Sequence, residues 1–179
     1  MDENAKKPFL KPALIYGAIM GFVGILISVI FYVTDLLFKP WAGILSLVIT
    51  IAVLIYLLRA YRNEYLNGLS TYGRLVLMSL AIGLVSGILA AVFNYLLYYV
   101  IDPDLVQRTL TFTESKLMDN PRIPENMIDK AMERAAKGLE PLRLVRKALV
   151  GNTIFLGVVG LIAAIFLKKE VENPMNEVA

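Results

Sequence analysis

The chain contains no cysteine and no histidine among its 179 residues, and only 18% of its residues are charged. Without cysteine it has no disulfide, no thiolate nucleophile and no iron–sulfur cluster. Without histidine it has no imidazole base, so most zinc sites and the Ser-His and Cys-His catalytic schemes are excluded. Soluble domains are about 45–50% apolar and about 25% charged. Here 58% of the residues are apolar, which indicates a membrane protein.

Four stretches of the sequence carry no charge, at residues 13–34, 41–58, 75–101 and 148–167. Crossing the hydrocarbon core takes roughly 17–25 helical residues. The third stretch is longer, so we expect it to tilt or to extend its tyrosine-rich end beyond the bilayer. None alternates as barrel strands do, and helices satisfy their own backbone groups in lipid. The predicted fold is all-α: an integral membrane four-helix bundle forming one domain over residues 1–179.

Three lysines precede the first stretch, as in the basic start of a signal peptide. A signal peptide has an apolar region of only about 7–15 residues, followed by a small-residue cleavage site. The stretch over 13–34 is longer and no Ala-x-Ala-like site follows it. We therefore expect an uncleaved first span.

The basic residues of the short connections predict the orientation, since they mark the cytoplasmic side. They cluster at both terminal flanks and between spans two and three, whereas the opposite turn over 35–40 carries only Lys39. This favours a multi-pass protein with both termini in the cytoplasm. Three basic residues beside the fourth span, Arg143, Arg146 and Lys147, argue for the opposite orientation.

The polar segment over 102–147 is predicted to form an external amphipathic helical hairpin between helices 3 and 4. Asp102-Pro103 is typical of a helix start, with Asp102 as the cap. Pro124 begins a second helix that Gly138 ends, and Pro141 begins a third that continues into span four. The apolar face of the second helix makes three residues candidates for a partner contact: Ile128, Met132 and Ala135. The alternatives are packing within the hairpin, contact with the bilayer surface, and a solvated connection.

Small residues recur four apart in three of the spans, a spacing that lets helix backbones approach closely. We expect them to pack the bundle internally, with spans one and three in contact through these faces; homo-oligomerisation is the alternative. The residues are Gly17, Gly21, Gly24, Ser79, Gly83, Gly87, Ala91, Gly160 and Ala164.

Three polar side chains stand out inside the uncharged spans: Thr50, Asn94 and Asn152. The same set includes Ser46, Ser79, Ser86 and Thr153. Such groups usually bond across helices, and the alternative is that they line a polar cleft. Asn94 and Asn152 fall at similar distances from the outer ends of their runs, so we predict that they bond to each other or to one shared backbone group. Asp102 and Asp104 lie close enough to bind a cation, but they are better explained as helix-capping acids. No catalytic, cofactor-binding or metal-binding set is found, and a non-enzymatic protein without a cofactor is expected.

The third span and its flanks contain a string of short motifs: Ser70-Thr71-Tyr72-Gly73-Arg74, Phe93-Asn94-Tyr95, Tyr98-Tyr99 and Ile101-Asp102-Pro103-Asp104. In this order they resemble an uncharacterised bacterial membrane family, domain of unknown function 4199. Met127–Glu133 is similar to the acidic, Met-containing helix that precedes its last span. The resemblance covers nearly the whole chain and implies a four-span inner-membrane protein. It implies no activity and no catalytic residue.

Packing faces and an external hairpin without catalytic groups favour an accessory or scaffold subunit of a larger membrane assembly. Its expected partners are the lipid bilayer and another membrane protein or a second copy, and no nucleic acid. One alternative is a small oligomeric transporter or channel, with Thr50, Asn94 and Asn152 lining its path. The other is a lipid-binding or lipid-modifying protein that uses Asp102, Asp104 and the nearby basic residues.

Overall fold

The computed structural model describes residues 8–121 and 123–169, and within them every regular element is helical. The helices are α1 (Leu10–Val33), α2 (Pro40–Tyr65), α3 (Tyr72–Leu96), α4 (Asp104–Met118), α5 (Glu125–Gly138) and α6 (Pro141–Leu167). A π-helical turn, Leu97–Ile101, continues α3. The helices α1, α2, extended α3 and α6 are long and apolar enough to cross a membrane. The all-α membrane bundle is confirmed.

Two of the long helices extend well beyond their uncharged runs. The helix α2 continues through Arg59 and Arg62 to Tyr65, and α6 begins at Pro141, before Arg143. Long basic side chains place their charge at the interface while their stems remain on the helix. A charge therefore marks the limit of the hydrocarbon, but it does not end the helix.

The helix α3 lies at the centre of the bundle. It packs most extensively on α6 and next most on α1, whereas α2 makes smaller contacts with the other three. We call the end of the bundle that holds the α2–α3 turn the inner end, and the end that carries α4 and α5 the outer end. Apart from Ala42, every buried residue of α2 lies in its inner half: Leu54, Leu57, Leu58 and Tyr61. The core is therefore concentrated toward the inner end.

Hydrogen bonds join the helix ends at the inner end. Backbone N–H groups of Ser70 and Lys169 donate to each other's carbonyl oxygens, at 2.8 and 3.0 Å. Arg62 donates to the Leu167 carbonyl at 3.0 Å. The turn between α2 and α3 passes through Asn67 and Gly68, which both have positive φ. Glycine and asparagine adopt positive φ more readily than most other residue types. The inner end is thus closed by the backbone as well as by side chains.

At the outer end α4 and α5 pack on each other, and α5 also contacts α6. Ile128, Met132 and Ala135 are half-buried there. The pKa of the Glu133 carboxyl is lowered by the neighbouring Lys137 ammonium on the same helix.

Asp102 does not cap α4 as predicted. The N-cap position is Pro103, and no side chain caps the helix. The Asp102 carboxylate instead accepts a hydrogen bond from the Tyr32 hydroxyl at 3.0 Å and pairs with Arg108. Asp102 therefore joins α1, through Tyr32, to α4 of the hairpin, through Arg108.

Candidate functional site

Small residues bring the backbones of α1 and α6 close to α3, but the contact surfaces differ from the prediction. On α1, Gly17 and Gly21 are buried, and a Cβ at Gly21 would lie 2.6 Å from the Leu89 side chain of α3. On α3, Gly83 faces α6, where its Cβ would lie 2.9 Å from Thr153 Cα. The expected match of small faces between α1 and α3 was therefore wrong, since α3 directs its small residues to α6.

The remaining members of the small-residue set divide between the core and the surface. Gly87 faces the Leu149 carbonyl and Gly160 faces Ser79, so both extend the α3–α6 contact. Ala91 and Ala164 are buried. Gly24 is exposed, with no atom within 4 Å of an added Cβ. Its predicted role in internal packing was therefore wrong, because no other helix packs directly against it.

Asn152 links α6 to α3 in the middle of the bundle. Its side-chain amide donates to the Ser86 hydroxyl at 2.7 Å and to the Gly83 carbonyl at 3.2 Å. Ser86 is buried and donates in turn to the Ile82 carbonyl of its own helix at 2.7 Å. Ser86 belongs to the set of intramembrane polar residues named from the sequence, and it lies one helical turn after Gly83 on the same face.

Asn94 does not bond to Asn152, so the predicted pair was wrong. Its amide donates at 2.8 Å to the Ala90 carbonyl of its own helix. The glycine contacts set the register of the antiparallel α3–α6 pair, with Gly87 beside Leu149 and Gly83 beside Thr153. This places Asn152 beside Ser86, about two helical turns from Asn94.

A small cavity of about 60 Å³ lies beside Asn152, where all four long helices meet. Thr50 and Ser86 also line it, so the structure brings two of the three predicted polar residues together. The other lining residues are Met20, Gly21, Val23, Gly24 and Ala90. A space of this size holds water or one small side chain.

Gly24 of α1 and Thr50 of α2 line this cavity, and helical spacing places further small and polar residues on the same two faces toward the outer end. We call this pair of faces the α1–α2 cleft and define it by Gly24 and Ser28 of α1 and by Gly43, Ser46 and Thr50 of α2. The spacings of four and seven place each set on one helix face. An added Cβ at Gly43, as at Gly24, would meet no atom within 4 Å.

Polar groups in the cleft lack partners, and the neighbouring part of α2 is loosely held. Among residues 8–121 and 123–169, the hydroxyls of Ser28, Ser46 and Thr50 make no hydrogen bond. No side chain of α2 from Gly43 to Val53 is buried. An unpaired hydroxyl in hydrocarbon is unfavourable, so this face is suited to a further helix that carries polar groups.

The described residues offer no acid-rich pocket. They contain no group of three or more Asp and Glu side chains placed to hold a metal ion. Asp104 is exposed in the first turn of α4, apart from the Asp102 pair. The polar centre of the bundle consists of amides and hydroxyls, which bind by hydrogen bonds and carry no charge.

The fold and the polar cleft define a multi-pass helical membrane protein built on a glycine-packed α3–α6 pair. The chain belongs to DUF4199, described as a protein of unknown function, whose family model matches residues 15–169. The resemblance seen in the sequence is thereby confirmed. No curated protein and no solved structure matches the chain.

Proposed function

We propose that this protein is a non-enzymatic accessory subunit that binds a transmembrane helix of another membrane protein in the α1–α2 cleft. The proposed setting is the bacterial inner membrane, with both termini in the cytoplasm. The hairpin of α4 and α5 would then lie on the opposite side of the membrane, beside the bound helix.

The unpaired hydroxyl of Thr50, at the base of the open cleft, is the observation that supports this most directly. Between helices in lipid there is little hydrophobic drive, so association depends on close packing and on interhelical hydrogen bonds. Gly24 and Gly43 leave room for a close backbone, and Ser28, Ser46 and Thr50 supply hydrogen-bonding groups at successive levels. A docked helix would use both the space beside the glycines and the hydroxyl groups.

Photo-cross-linking in native membranes tests the proposal. With p-benzoylphenylalanine at Thr50, we expect an adduct with one membrane protein that also co-purifies in mild detergent. With the same residue at Ile44, which is 67% exposed on another face of α2, we expect no such adduct. Gly24→Leu fills the cleft and should abolish the adduct, whereas Gly151→Leu, in open space on α6, should leave it.

Three results would contradict the proposal. Equal yields from Thr50 and Ile44 would show random contact in the membrane. An adduct of two copies of this chain would favour a homo-oligomer, the arrangement required by a small transporter or channel. The absence of a protein adduct at Thr50 would leave lipid as the occupant of the cleft.

The orientation can be tested by single-cysteine labelling, since the chain has no cysteine of its own. Thr71 and Asn126 are exposed at the inner and outer ends. In intact spheroplasts, Asn126→Cys should react with an impermeant maleimide, and Thr71→Cys should react only after the membrane is opened. The proposed orientation rests on the basic residues of the inner end, because basic residues mark the cytoplasmic side. The reverse labelling pattern would show that the inner end faces away from the cytoplasm.

A further inference from the structure

A basic depression lies at the start of α6. Arg143, Arg146 and Lys147 line it together with Gly138 and Val150, and its volume is about 320 Å³. Arg143 pairs with Glu140 at 3.2 Å. Within the described chain, Arg146 and Lys147 form no ion pair, so two exposed positive charges at the edge of the membrane lack a counter-charge.

An apolar groove of about 340 Å³ lies between α3 and the same stretch of α6. Val145 and Leu149 line it from α6, and Leu149 lies one helical turn after Arg146 of the depression, so these two side chains are neighbours on the helix surface. The α3 side consists of Ile88, Ala91, Val92, Tyr95 and Leu96. Both volumes fall within the range of ligand sites, about 300–1,000 Å³.

Tyrosines hold the two features in place at interfacial depth. The Tyr99 hydroxyl donates to the Leu139 carbonyl in the α5–α6 turn. Its ring stacks on Tyr95 of the groove, with centroids 5.6 Å apart. Tyrosine is typical of the boundary between hydrocarbon and head groups. The basic residues therefore lie at head-group level, and the groove runs from there into the hydrocarbon.

We propose that the start of α6 and the α3–α6 groove bind an anionic phospholipid. Its phosphate pairs with Arg146 and Lys147, and one acyl chain lies along Val92 and Leu149. Arginine and lysine are side chains that bind phosphate, and an anionic head group would supply the counter-charge that Arg146 and Lys147 lack. An acidic peptide would satisfy the charges but would leave the groove to lipid, whereas an anionic phospholipid fills both. The site lies on other helices than the α1–α2 cleft and is independent of the function proposed for it.

Native mass spectrometry of the full-length protein in mild detergent tests the site. Phosphatidylglycerol and phosphatidylcholine with identical acyl chains are titrated separately, and glycerol phosphate serves as the soluble head group. We expect phosphatidylglycerol to bind about tenfold more tightly than phosphatidylcholine, because the two unpaired basic residues attract its net negative charge. Glycerol phosphate should not bind detectably, because it has no chain for the groove.

Two variants separate the head-group contact from the groove. R146Q/K147Q should lose the preference for phosphatidylglycerol, whereas K130Q/R134Q, which removes the same charge from exposed positions of α5, should keep it. Val92→Trp should weaken the binding of both lipids, because the larger side chain obstructs the groove. Val92 is 56% exposed, so the fold tolerates the change. In the wild type, raising ammonium acetate from 50 to 500 mM should weaken phosphatidylglycerol binding alone.

The proposal fails if R146Q/K147Q and K130Q/R134Q behave alike, or if the two lipids bind equally to the wild type. Glycerol phosphate bound as tightly as phosphatidylglycerol would make this a phosphate site and not a lipid site. Undiminished binding to the Val92→Trp variant would remove the groove from the proposal. The wild-type salt dependence decides the electrostatic part even if R146Q/K147Q does not fold.

Discussion

Replacing Gly83 by leucine is expected to lower the melting temperature of the purified protein by roughly 5–10 °C and to reduce its yield in the membrane. An added Cβ would lie 2.9 Å from Thr153 Cα and 3.3 Å from its carbonyl oxygen. Both are backbone atoms, so no side-chain rotation can relieve the contact and α3 must separate from α6. Overpacking a tight site costs about 1–3 kcal/mol, and each kcal/mol corresponds to about 2–4 °C in a chain of this size.

Gly151→Leu is the matched control, because it makes the same substitution in α6 where an added Cβ meets no atom within 4 Å. Its melting temperature should stay within about 1–2 °C of the wild type, since exposed substitutions change stability by about 0.5 kcal/mol or less. Equal melting temperatures for the Gly83→Leu and Gly151→Leu variants would show that the α3–α6 contact is looser than described.

Asn152→Leu should destabilise the bundle by about 1–2 kcal/mol, and Asn94→Leu by clearly less. Asn152 donates two hydrogen bonds to α3, to Ser86 and to the Gly83 carbonyl. Interhelical bonds in membranes contribute about 0.6 kcal/mol on average and up to about 1.7. Asn94 donates only to its own helix, so its loss does not release one helix from another. Unfolding titrations of both variants in the same detergent measure the difference.

Double-mutant cycles separate the two asparagines further. We expect a coupling energy between Asn152→Leu and Ser86→Ala, since these side chains share a bond. Between Asn152→Leu and Asn94→Leu the coupling should be indistinguishable from zero. A sizeable coupling between the two asparagines, or the same loss from either single variant, would contradict the register of α3 against α6.

The helices could be located from the sequence, because the signal is local. An uncharged helical run of sufficient length is stable in lipid almost regardless of the segments that surround it in the sequence. The helices of the hairpin region begin or end at or beside three residues that the sequence marks as helix boundaries: Pro124, Gly138 and Pro141. The end of α2 was harder to predict, since Arg62 is accommodated by the Leu167 carbonyl of a helix distant in sequence.

The sequence could not predict which helix packs against each small-residue face, because the same spacing of small residues occurs on several helices. Gly17 and Gly24 both begin a motif with a small residue four positions later, yet Gly17 is buried and Gly24 is open. The depths of the asparagines were counted from the ends of uncharged runs, whereas the register of α3 and α6 is set by glycine contacts. Thr50 and Asn152 were singled out from the sequence, but the cavity that they share depends on the packing of all four long helices.

The order in which the chain is synthesised gives the α3–α6 pair a kinetic consequence. The small-residue face of α3 finds its partner only in α6, the last helix, whose final residue Leu167 is made roughly 66 residues after Ile101. At about 5–20 residues per second, synthesis leaves that face without its partner for about 3–13 s. During this interval α3 is held mainly by α1, through Gly17 and Gly21, and to a smaller extent by α2. Nascent chains that stop before α6 should therefore be the form most exposed to membrane proteases.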